Sequence, residues 1–392
     1  MKQIVLRSST FLWTDSKEGL LYNTDTNAFY VFSTEDSLIA SVCSQWEDLD
    51  NLYVARVEES QATRDFEDFC KKLEELSLGA VLSSQKLALA CPPRLKIKHS
   101  IETINHLEGD ISIEPVLSNL MRMIVFLGGS CDKSNLWRQV IYPMASEARM
   151  DAGRLRAFLR WCDAFSLKRV DLVITEWDSR QISSFAEELK DQKGIVRFFF
   201  AHPDPGFDNE VLNDLAASGY AVTQVCLPDK GIQKASWKPE RSYQLLVRSE
   251  EEVEHWETLL EGREGGDYDL KPVADNNLEF FRENIFLSEE EILSQKLSKK
   301  DIFRHQALNV NQFGTFFVFP DGTIHPAADA PAIGTLEDSV HQTIIRELEE
   351  NHAWRQTRRL MEPCKDCLYH DLCPSPSVYE RVFGVPGCTY WE

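Results

Sequence analysis

The fold of this chain is predicted most clearly by residues 169–201, which read RVDLVITEWDSRQISSFAEELKDQKGIVRFFFA. Apolar residues dominate both ends of this stretch, Arg169 to Thr175 and Val196 to Ala201, and each end is typical of a buried strand. Between them, Ile182 to Leu189 has the apolar spacing of a helix. A strand, a helix and a second strand in this order indicate a right-handed βαβ unit with parallel strands.

The same alternation extends to both sides of this unit, over residues 91–287. Further strand-like runs are Met121 to Leu127, Ala221 to Leu227, Tyr243 to Val247 and Tyr268 to Val273. Further helical patterns are Arg154 to Phe165, Glu210 to Ala217 and Glu250 to Leu260. Six strands are too few for the eight-fold barrel, so we expect an α/β fold with a partial (β/α)6 barrel. The breaker Cys91-Pro92-Pro93 marks its start.

Residues 1–90 have a different pattern. Three short β-type runs, Thr10 to Trp13, Leu20 to Asn23 and Ala28 to Phe32, indicate an antiparallel meander. Two helical patterns follow, over 38–46 and 66–76, with Gly79 placed to end the second. We expect either a winged-helix-like α+β domain, whose exposed sheet edge accepts a peptide as an extra strand, or a generic small domain.

The third region, residues 288–392, begins with a helix start signal. Ser288 can cap a helix together with Glu291. Residues 314–325 read GTFFVFPDGTIH, which predicts a hairpin around a Pro-Asp-Gly turn. A helical pattern over Val340 to Leu348 leads to a group of cysteines near the end of the chain.

The composition excludes several classes of function. The chain has 392 residues, with 42 Lys and Arg against 63 Asp and Glu, which gives a formal net charge of −21. Such an acidic surface repels phosphate backbones and anionic lipid headgroups, so we expect neither nucleic acid nor a membrane as partner. The sequence lacks a run of the roughly 20 apolar residues that a membrane span needs, and Met1 to Ser8 lacks the apolar core of a secretory signal. We therefore expect a cytoplasmic protein with a basic protein or peptide as partner.

Four of the ten cysteines crowd the end of the chain. Cys364, Cys367 and Cys373 have C-x2-C-x5-C spacing, and Cys388 follows after a longer loop. Thiolates at this spacing can bind one metal from a tight turn, and both Zn²⁺ and an iron–sulfur cluster fit. His370 is a possible substitute ligand. The alternative is a set of reduced cysteines or a disulfide in a C-terminal loop.

Several motifs in residues 91–392 resemble a known family. Residues 319–326 read FPDGTIHP, residues 333–335 read IGT, and the tail 372–380 reads LCPSPSVYE. With the partial barrel and the cysteine spacing, they resemble the radical-SAM peptide-modifying enzymes with a C-terminal SPASM domain. Within that group the chain is most similar to pseudo-radical-SAM/SPASM proteins encoded beside double-Gly-leader ribosomal peptides, the GG-Bacteroidales system. The resemblance implies a SPASM-like domain over 288–392, and residues 1–90 look like leader-recognition domains fused to such maturases.

The sequence departs from that family where an active enzyme needs its cofactors. The family holds a [4Fe–4S] cluster on a C-x3-C-x2-C motif after the first barrel strand, whereas residues 128–137 read GGSCDKSNLW and keep only Cys131. One thiolate cannot replace three, so S-adenosylmethionine binding is not expected. After the second strand, the glycine-rich turn that receives the cofactor's amino group is replaced by Thr175-Glu176-Trp177-Asp178. Two cysteines of the SPASM pattern are also missing, at Ala327-Ala328 and at Ser377.

Other candidate sites have simpler explanations. Gly128-Gly129 has no surrounding phosphate-binding pattern and is better read as a turn. Glu250 to Glu252 and Glu289 to Glu291 are placed to complement helix dipoles, and His202 next to Pro203 fits loop structure better than catalysis.

Two functions from different classes remain. The first is a non-catalytic accessory protein in ribosomal peptide maturation, which binds the precursor peptide, a partner radical-SAM maturase, or both. The second is an active radical-SAM enzyme with an unusual cluster site, or a transferase that uses the barrel in another way.

Overall fold

A computed structural model describes residues 2–48, 50–58, 60, 62–83, 90–93, 116–129, 146–162, 167–174, 176–226, 237–262 and 266–389. Along the chain these residues form two small antiparallel sheets with two helices, a large and mainly parallel sheet with helices, and a C-terminal region of short helices that carries the cysteines. The expected α/β class is confirmed by this mixed architecture and its parallel strands. None of the helices among the described residues combines the length and the apolar character needed to cross a membrane.

The N-terminal region contains two three-stranded sheets in its described part. Its strands are β1 Lys2–Leu6, β2 Thr10–Thr14, β3 Glu18–Asn23, β4 Phe29–Ser33, β5 Ala55–Val57 and β6 Gly79–Ser83, and its helices are α1 Ser37–Glu47 and α2 Arg64–Glu75. The predicted meander is confirmed as the sheet β2-β3-β4. The second sheet, β5-β1-β6, was not predicted, and Gly79 begins β6 instead of ending a helix.

The meander is buried on both faces. On one face Leu21 and Phe32 share a core with Val42 of α1 and Phe69 of α2. The other face packs against the C-terminal region, in a single buried cluster that contains Phe11, Trp13, Leu20, Tyr22, Ile292, Leu293, Ile302, Cys367, Leu368, Tyr369, Leu372 and Cys373. The N-terminal region is therefore joined by an apolar interface to the segment that carries the cysteines.

The middle region confirms the predicted alternation of strands and helices. The strands are β7 Arg122–Phe126, β8 Gly128–Gly129, β9 Ser146–Arg149, β10 Arg169–Ile174, β11 Val196–Ala201, β12 Ala221–Cys226, β13 Ser242–Val247 and β14 Tyr268–Pro272. The helices are α3 Ala152–Cys162, α4 Ser179–Glu188, α5 Glu210–Ala217 and α6 Glu250–Leu260. Strands β7 and β10 to β14 pair in parallel and in chain order.

Successive side chains of a strand point to opposite sides of the sheet, and both faces of this large sheet are apolar. On the helix-bearing face, Met123 and Phe198 belong to one core with Leu155, Ile182 and Leu212. The second face carries a separate buried cluster of strand residues and their immediate neighbours, namely Ile124, Phe126, Val173, Phe199, Val225, Leu246 and Val273, against which Phe317 and Phe319 pack. Closure of the sheet into a partial barrel stays a prediction.

The C-terminal region begins with the predicted capping box. Ser288 and Glu291 form reciprocal hydrogen bonds at the start of a helix. The helices of this region are α7 Leu278–Asn284, α8 Glu289–Ser294, α9 Lys299–Ala307, α10 Val340–Glu350 and α11 Val378–Phe383. The predicted hairpin is confirmed as β15 Thr315–Val318 and β16 Thr323–His325, with β17 Gly334–Thr335 beside it. Strand β15 also pairs in parallel with β7, so the hairpin extends the large sheet across the predicted boundary at 287/288.

A buried carboxylate holds the loop after α10. Glu347 accepts hydrogen bonds from the backbone N–H groups of Ala353 at 2.9 Å and Trp354 at 2.7 Å. The Trp354 ring stacks on Phe316 of β15, with ring centroids 5.1 Å apart. Burial raises the pKa of Glu347 above its ordinary value, although these hydrogen bonds act in the opposite direction. The loop is thereby fixed to the large sheet just before the cysteines.

Candidate functional site

The four C-terminal cysteines lie in one region, which we call the cysteine segment, residues 364–388. Cys364 begins a short 3-10 turn, and the Cys367 N–H donates to the Cys364 carbonyl at 3.1 Å. Cys364, Cys367 and Cys373 are buried, whereas Cys388 is half-buried. A β-bridge between Leu287 and Cys388 ties the end of the segment to the start of α8. The predicted C-x2-C turn is therefore present.

A buried arginine, Arg358, lies just before this segment and contacts it. Arg358 forms a bidentate ion pair with Glu380, at 2.9 and 3.2 Å, and both side chains are buried. Its Nη1 atom also lies 3.6 Å from the Cys364 sulfur. Burial opposes the charged form of Arg358, but the Glu380 carboxylate outweighs it, so the pKa of Arg358 lies above its ordinary value. A permanent positive charge therefore lies beside the Cys364 thiol of the segment.

Sulfur donors suit a thiophilic metal, but the positions of the four cysteines do not form a metal site. Burial raises the pKa of Cys367 to about 11, and it raises the pKa of Cys373 as well. Without a metal these thiols are protonated at neutral pH, and metal binding would have to displace the protons. In the described part of the chain, no three His, Cys, Asp or Glu side chains are close enough together to hold a metal ion. The metal site at Cys364, Cys367, Cys373 and Cys388 stays a prediction.

His370 has protein partners in this segment. Its Nδ1 atom is 2.5 Å from the Cys367 carbonyl oxygen, and its Nε2 atom is 3.4 Å from the Asp371 carboxylate. Burial lowers the pKa of His370, although Asp371 acts in the opposite direction. These contacts account for the histidine without a metal.

The sequence did not predict the importance of Asp371. Its buried carboxylate accepts hydrogen bonds from the Trp13 indole N–H at 2.7 Å, from the Gln306 amide at 2.7 Å and from Arg359 Nε at 2.7 Å. These donors come from the meander, from α9 and from the turn before the cysteines. Asp371 therefore connects the N-terminal region to the cysteine segment through one charged group.

The second candidate site is the carboxyl edge of the parallel strands, where α/β proteins bind ligands. Cys131 and Thr175 lie outside the described residues. Gly128 and Gly129 form β8, which pairs with β9, and their φ angles are 88° and 102°. A Cβ atom on Gly129 would overlap the Glu176 carboxylate. Glycine is required at this position by both the positive φ and the close approach of a side chain.

Glu176 and Asp178 occupy the turn that follows β10. Arg149 of β9 forms ion pairs with Glu176 at 3.0 Å and with Asp178 at 3.3 Å. Asp178 also caps α4 by accepting hydrogen bonds from the backbone N–H groups of Arg180 and Gln181. This turn is therefore filled by a network of charged side chains.

Aromatic rings cover the next part of the same edge. Trp177 is 40% exposed and packs against Phe200 and Phe207, with ring centroids 5.5 and 5.8 Å apart. His202 stacks on Phe207 at 3.9 Å and accepts a hydrogen bond at Nδ1 from the Asp204 N–H. These contacts agree with the expectation that His202 is part of the loop structure.

Comparison with known proteins gives distant structural similarity only. No family model matches the sequence, and no curated protein matches it. The crystal structure of Streptococcus suis SuiB bound to precursor peptide SuiA is 12% identical, with a TM-score of 0.42 and coverage of 97% of each chain. SuiB bound to S-adenosylmethionine is 11% identical, with a TM-score of 0.42 and coverage of 98% of each chain. Native anSMEcpe with bound AdoMet and Kp18Cys peptide is 11% identical, with a TM-score of 0.41, and the match covers 64% of this chain and 88% of that one. TM-scores below 0.5 do not establish a shared fold, so the function proposed below rests on residues of this chain.

Proposed function

We propose that this chain is a non-catalytic accessory protein in the maturation of a ribosomally synthesised peptide. It binds the precursor peptide, a partner radical-SAM maturase, or both, in the cytoplasm. In this proposal residues 1–90 recognise the peptide, residues 91–287 form a degenerate radical-SAM-like partial barrel, and residues 288–392 form a SPASM-like domain.

The single observation that carries this proposal is the cysteine content of residues 128–137. The resemblance implies three cluster ligands in this stretch, and only Cys131 is present. A site-differentiated [4Fe–4S] cluster needs three protein thiolates to leave one iron open for a cofactor. A chain without them cannot reduce S-adenosylmethionine in the way the family does.

The turn after β10 supports the same conclusion. Where the family has a glycine-rich turn for the amino group of the cofactor, this chain has Glu176 and Asp178, both ion-paired with Arg149. A ligand at this position would have to displace the side chains and break these ion pairs.

Peptide binding is supported by the edge of the meander. Among the described strands, β4 pairs only with β3, so its other edge can accept an extended peptide as an added strand. Phe29 on β4 is 39% exposed and offers an apolar contact beside this edge.

The cysteine segment has a supporting role in this proposal. The four cysteines bind Zn²⁺ or an iron–sulfur cluster that stabilises the C-terminal region, and sulfur is the donor that both prefer. This role is supported by the buried cluster that contains Cys367 and Cys373, against which Cys388 packs.

The experiment is a pull-down of the full chain with its neighbouring precursor peptide and maturase. Capture of the peptide, together with no heat of binding for S-adenosylmethionine, is expected. The Phe29→Ser variant should weaken capture, whereas Leu52→Ser, at another exposed apolar residue, should not. Binding and cleavage of S-adenosylmethionine by this chain alone would instead support the active enzyme.

A further inference from the structure

Three arginines meet at the amino edge of the large sheet, on its second face. Arg122 of β7 and Arg169 of β10 are register partners, and Asp171 of β10 is the register partner of Arg197 on β11. Register partners on neighbouring strands point to the same face of a sheet. The three arginines therefore lie on the same face of the sheet as the single carboxylate of Asp171.

Asp171 occupies only part of the donor capacity of this group. Its buried carboxylate receives Nε and Nη2 of Arg122, at 2.7 and 2.6 Å, and Nε of Arg169 at 2.6 Å. The Arg122 and Arg169 side chains remain 39% and 31% exposed. Each guanidinium has five N–H donors, so both keep donors that Asp171 does not use.

Arg197 contributes a charge that the fold itself does not use. It is exposed, and among the described residues no hydrogen bond or ion pair is found for its side chain. Three positive charges against one negative charge leave a local surplus of two, in a chain with a net charge of −21. A support for buried Asp171 alone would not need the third arginine.

Apolar side chains lie directly beside these arginines. Ile124 is the register partner of Asp171, and Phe317 is the register partner of Ile124. The Arg169 guanidinium lies over the ring of Phe199, 5.6 Å from its centroid. Ile124 and Phe199 are buried, so the half-buried ring of Phe317 is the apolar side chain that the patch offers beside the guanidinium donors.

We propose that Arg122, Arg169 and Arg197 bind a carboxylate of a peptide whose neighbouring side chain is apolar. The planar fork of arginine matches a carboxylate in a bidentate geometry, and the adjoining half-buried Phe317 can contact the apolar neighbour. A nucleic acid is disfavoured because the overall acidic charge repels a long polyanion while a single carboxylate is still attracted locally. This inference rests on the proposed function and names the chemistry of part of the bound peptide.

The test uses two labelled tetrapeptides, Ac-Ala-Glu-Phe-Ala-amide and the same peptide with Gln in place of Glu. Their affinities for the full chain are measured by fluorescence anisotropy. We expect the Glu peptide to bind more tightly, and the Arg197→Gln variant to weaken it about tenfold. Arg197→Gln leaves the contacts of Asp171 intact, so the variant should fold, which circular dichroism verifies. The control variant is Arg180→Gln, an exposed arginine at the opposite edge of the sheet.

Three results would overturn this site. Equal affinities of the two peptides would show that no carboxylate is recognised. Equal affinities of wild type and Arg197→Gln for the Glu peptide would place the binding elsewhere. Competition by acetate at the same concentration as the Glu peptide would show a bare anion site and not a peptide site.

The two proposals can fail separately. Loss of carboxylate-dependent binding while the full precursor is still captured overturns this inference alone. Tetrapeptide binding that depends on Arg197, in a chain that does not capture the precursor, overturns the proposed function alone.

Discussion

Replacing Asp371 by Asn should loosen the connection between the N-terminal region and the cysteine segment. Asp371 is fully buried, and its carboxylate accepts hydrogen bonds from Trp13, Gln306 and Arg359. An amide keeps one acceptor oxygen but loses the charge and turns an N–H₂ group toward the remaining donors. Breaking a buried ion pair costs about 3 to 5 kcal/mol, but Arg359 is 44% exposed and can be rehydrated, so we expect a loss of about 2 to 3 kcal/mol.

Urea unfolding followed by tryptophan fluorescence measures this loss. The matched control is Asp366→Asn, which removes an exposed carboxylate from the same segment and should change the free energy of unfolding by less than about 0.5 kcal/mol. A double-mutant cycle with Trp13→Phe should give a coupling energy of about 1 kcal/mol. Equal unfolding midpoints for the two Asp variants would refute the role assigned to Asp371.

Three further predictions concern Gly129 of β8, a buried carboxylate and the metal. Gly129→Ala should lower the free energy of unfolding by about 2 kcal/mol, because the φ of Gly129 is 102° and the new methyl group meets the Glu176 carboxylate. The control Gly153→Ala, in α3, should not lower the free energy of unfolding. Equal urea midpoints for the two variants would contradict the steric argument. Burial raises the pKa of Glu347, so over some pH range the folded chain keeps a proton that the unfolded chain has released. The stability of the wild type relative to Glu347→Gln should therefore fall as the pH rises above about 4.5 through the folded-state pKa. Denaturant titrations over this range measure the difference, and a difference that does not change with pH would contradict the prediction. The double variant Cys364→Ser/Cys367→Ser should lose bound zinc or iron in elemental analysis of the purified protein, and unchanged metal content would place the metal elsewhere.

The apolar strands were predictable because a run of apolar residues indicates a buried strand directly. All six strands predicted in the middle region overlap observed strands. The inner parallel strands are covered on two faces and are mainly apolar, whereas the edge strand β14 is exposed or half-buried. The hairpin and the capping box were predictable for a different reason, because turn and cap chemistry depends on neighbours within a few residues.

Strands that depend on distant partners were missed. Strand β5 has only three residues, and β1 pairs with both β5 and β6 across more than fifty residues of sequence. A short strand and a pairing between distant segments both lack a strong pattern in the local sequence. Gly79 was misassigned because a glycine that ends a helix and a glycine that begins a closely packed strand look alike in sequence. A Cβ atom on Gly79 would meet the Val5 carbonyl and the Leu73 side chain.

The candidate sites show the same limit. The spacing of Cys364 and Cys367 predicted their shared turn, because that turn is local. No local pattern indicates the role of Asp371, because its partner Trp13 is 358 residues away. The grouping of the three arginines with Asp171 was also not predictable from the sequence, because it arises only through the register of neighbouring parallel strands.

The most direct test of the accessory function is anaerobic reconstitution of the full chain with iron and sulfide, followed by incubation with S-adenosylmethionine and a strong reductant. Wild type, Cys131→Ser and Cys364→Ser/Cys367→Ser are compared by electron paramagnetic resonance and by assay of 5′-deoxyadenosine. We predict that no 5′-deoxyadenosine forms and that any iron signal depends on the C-terminal cysteines and not on Cys131. A reducible four-iron cluster that is lost in Cys131→Ser, with cleavage of S-adenosylmethionine by the wild type, would contradict the account.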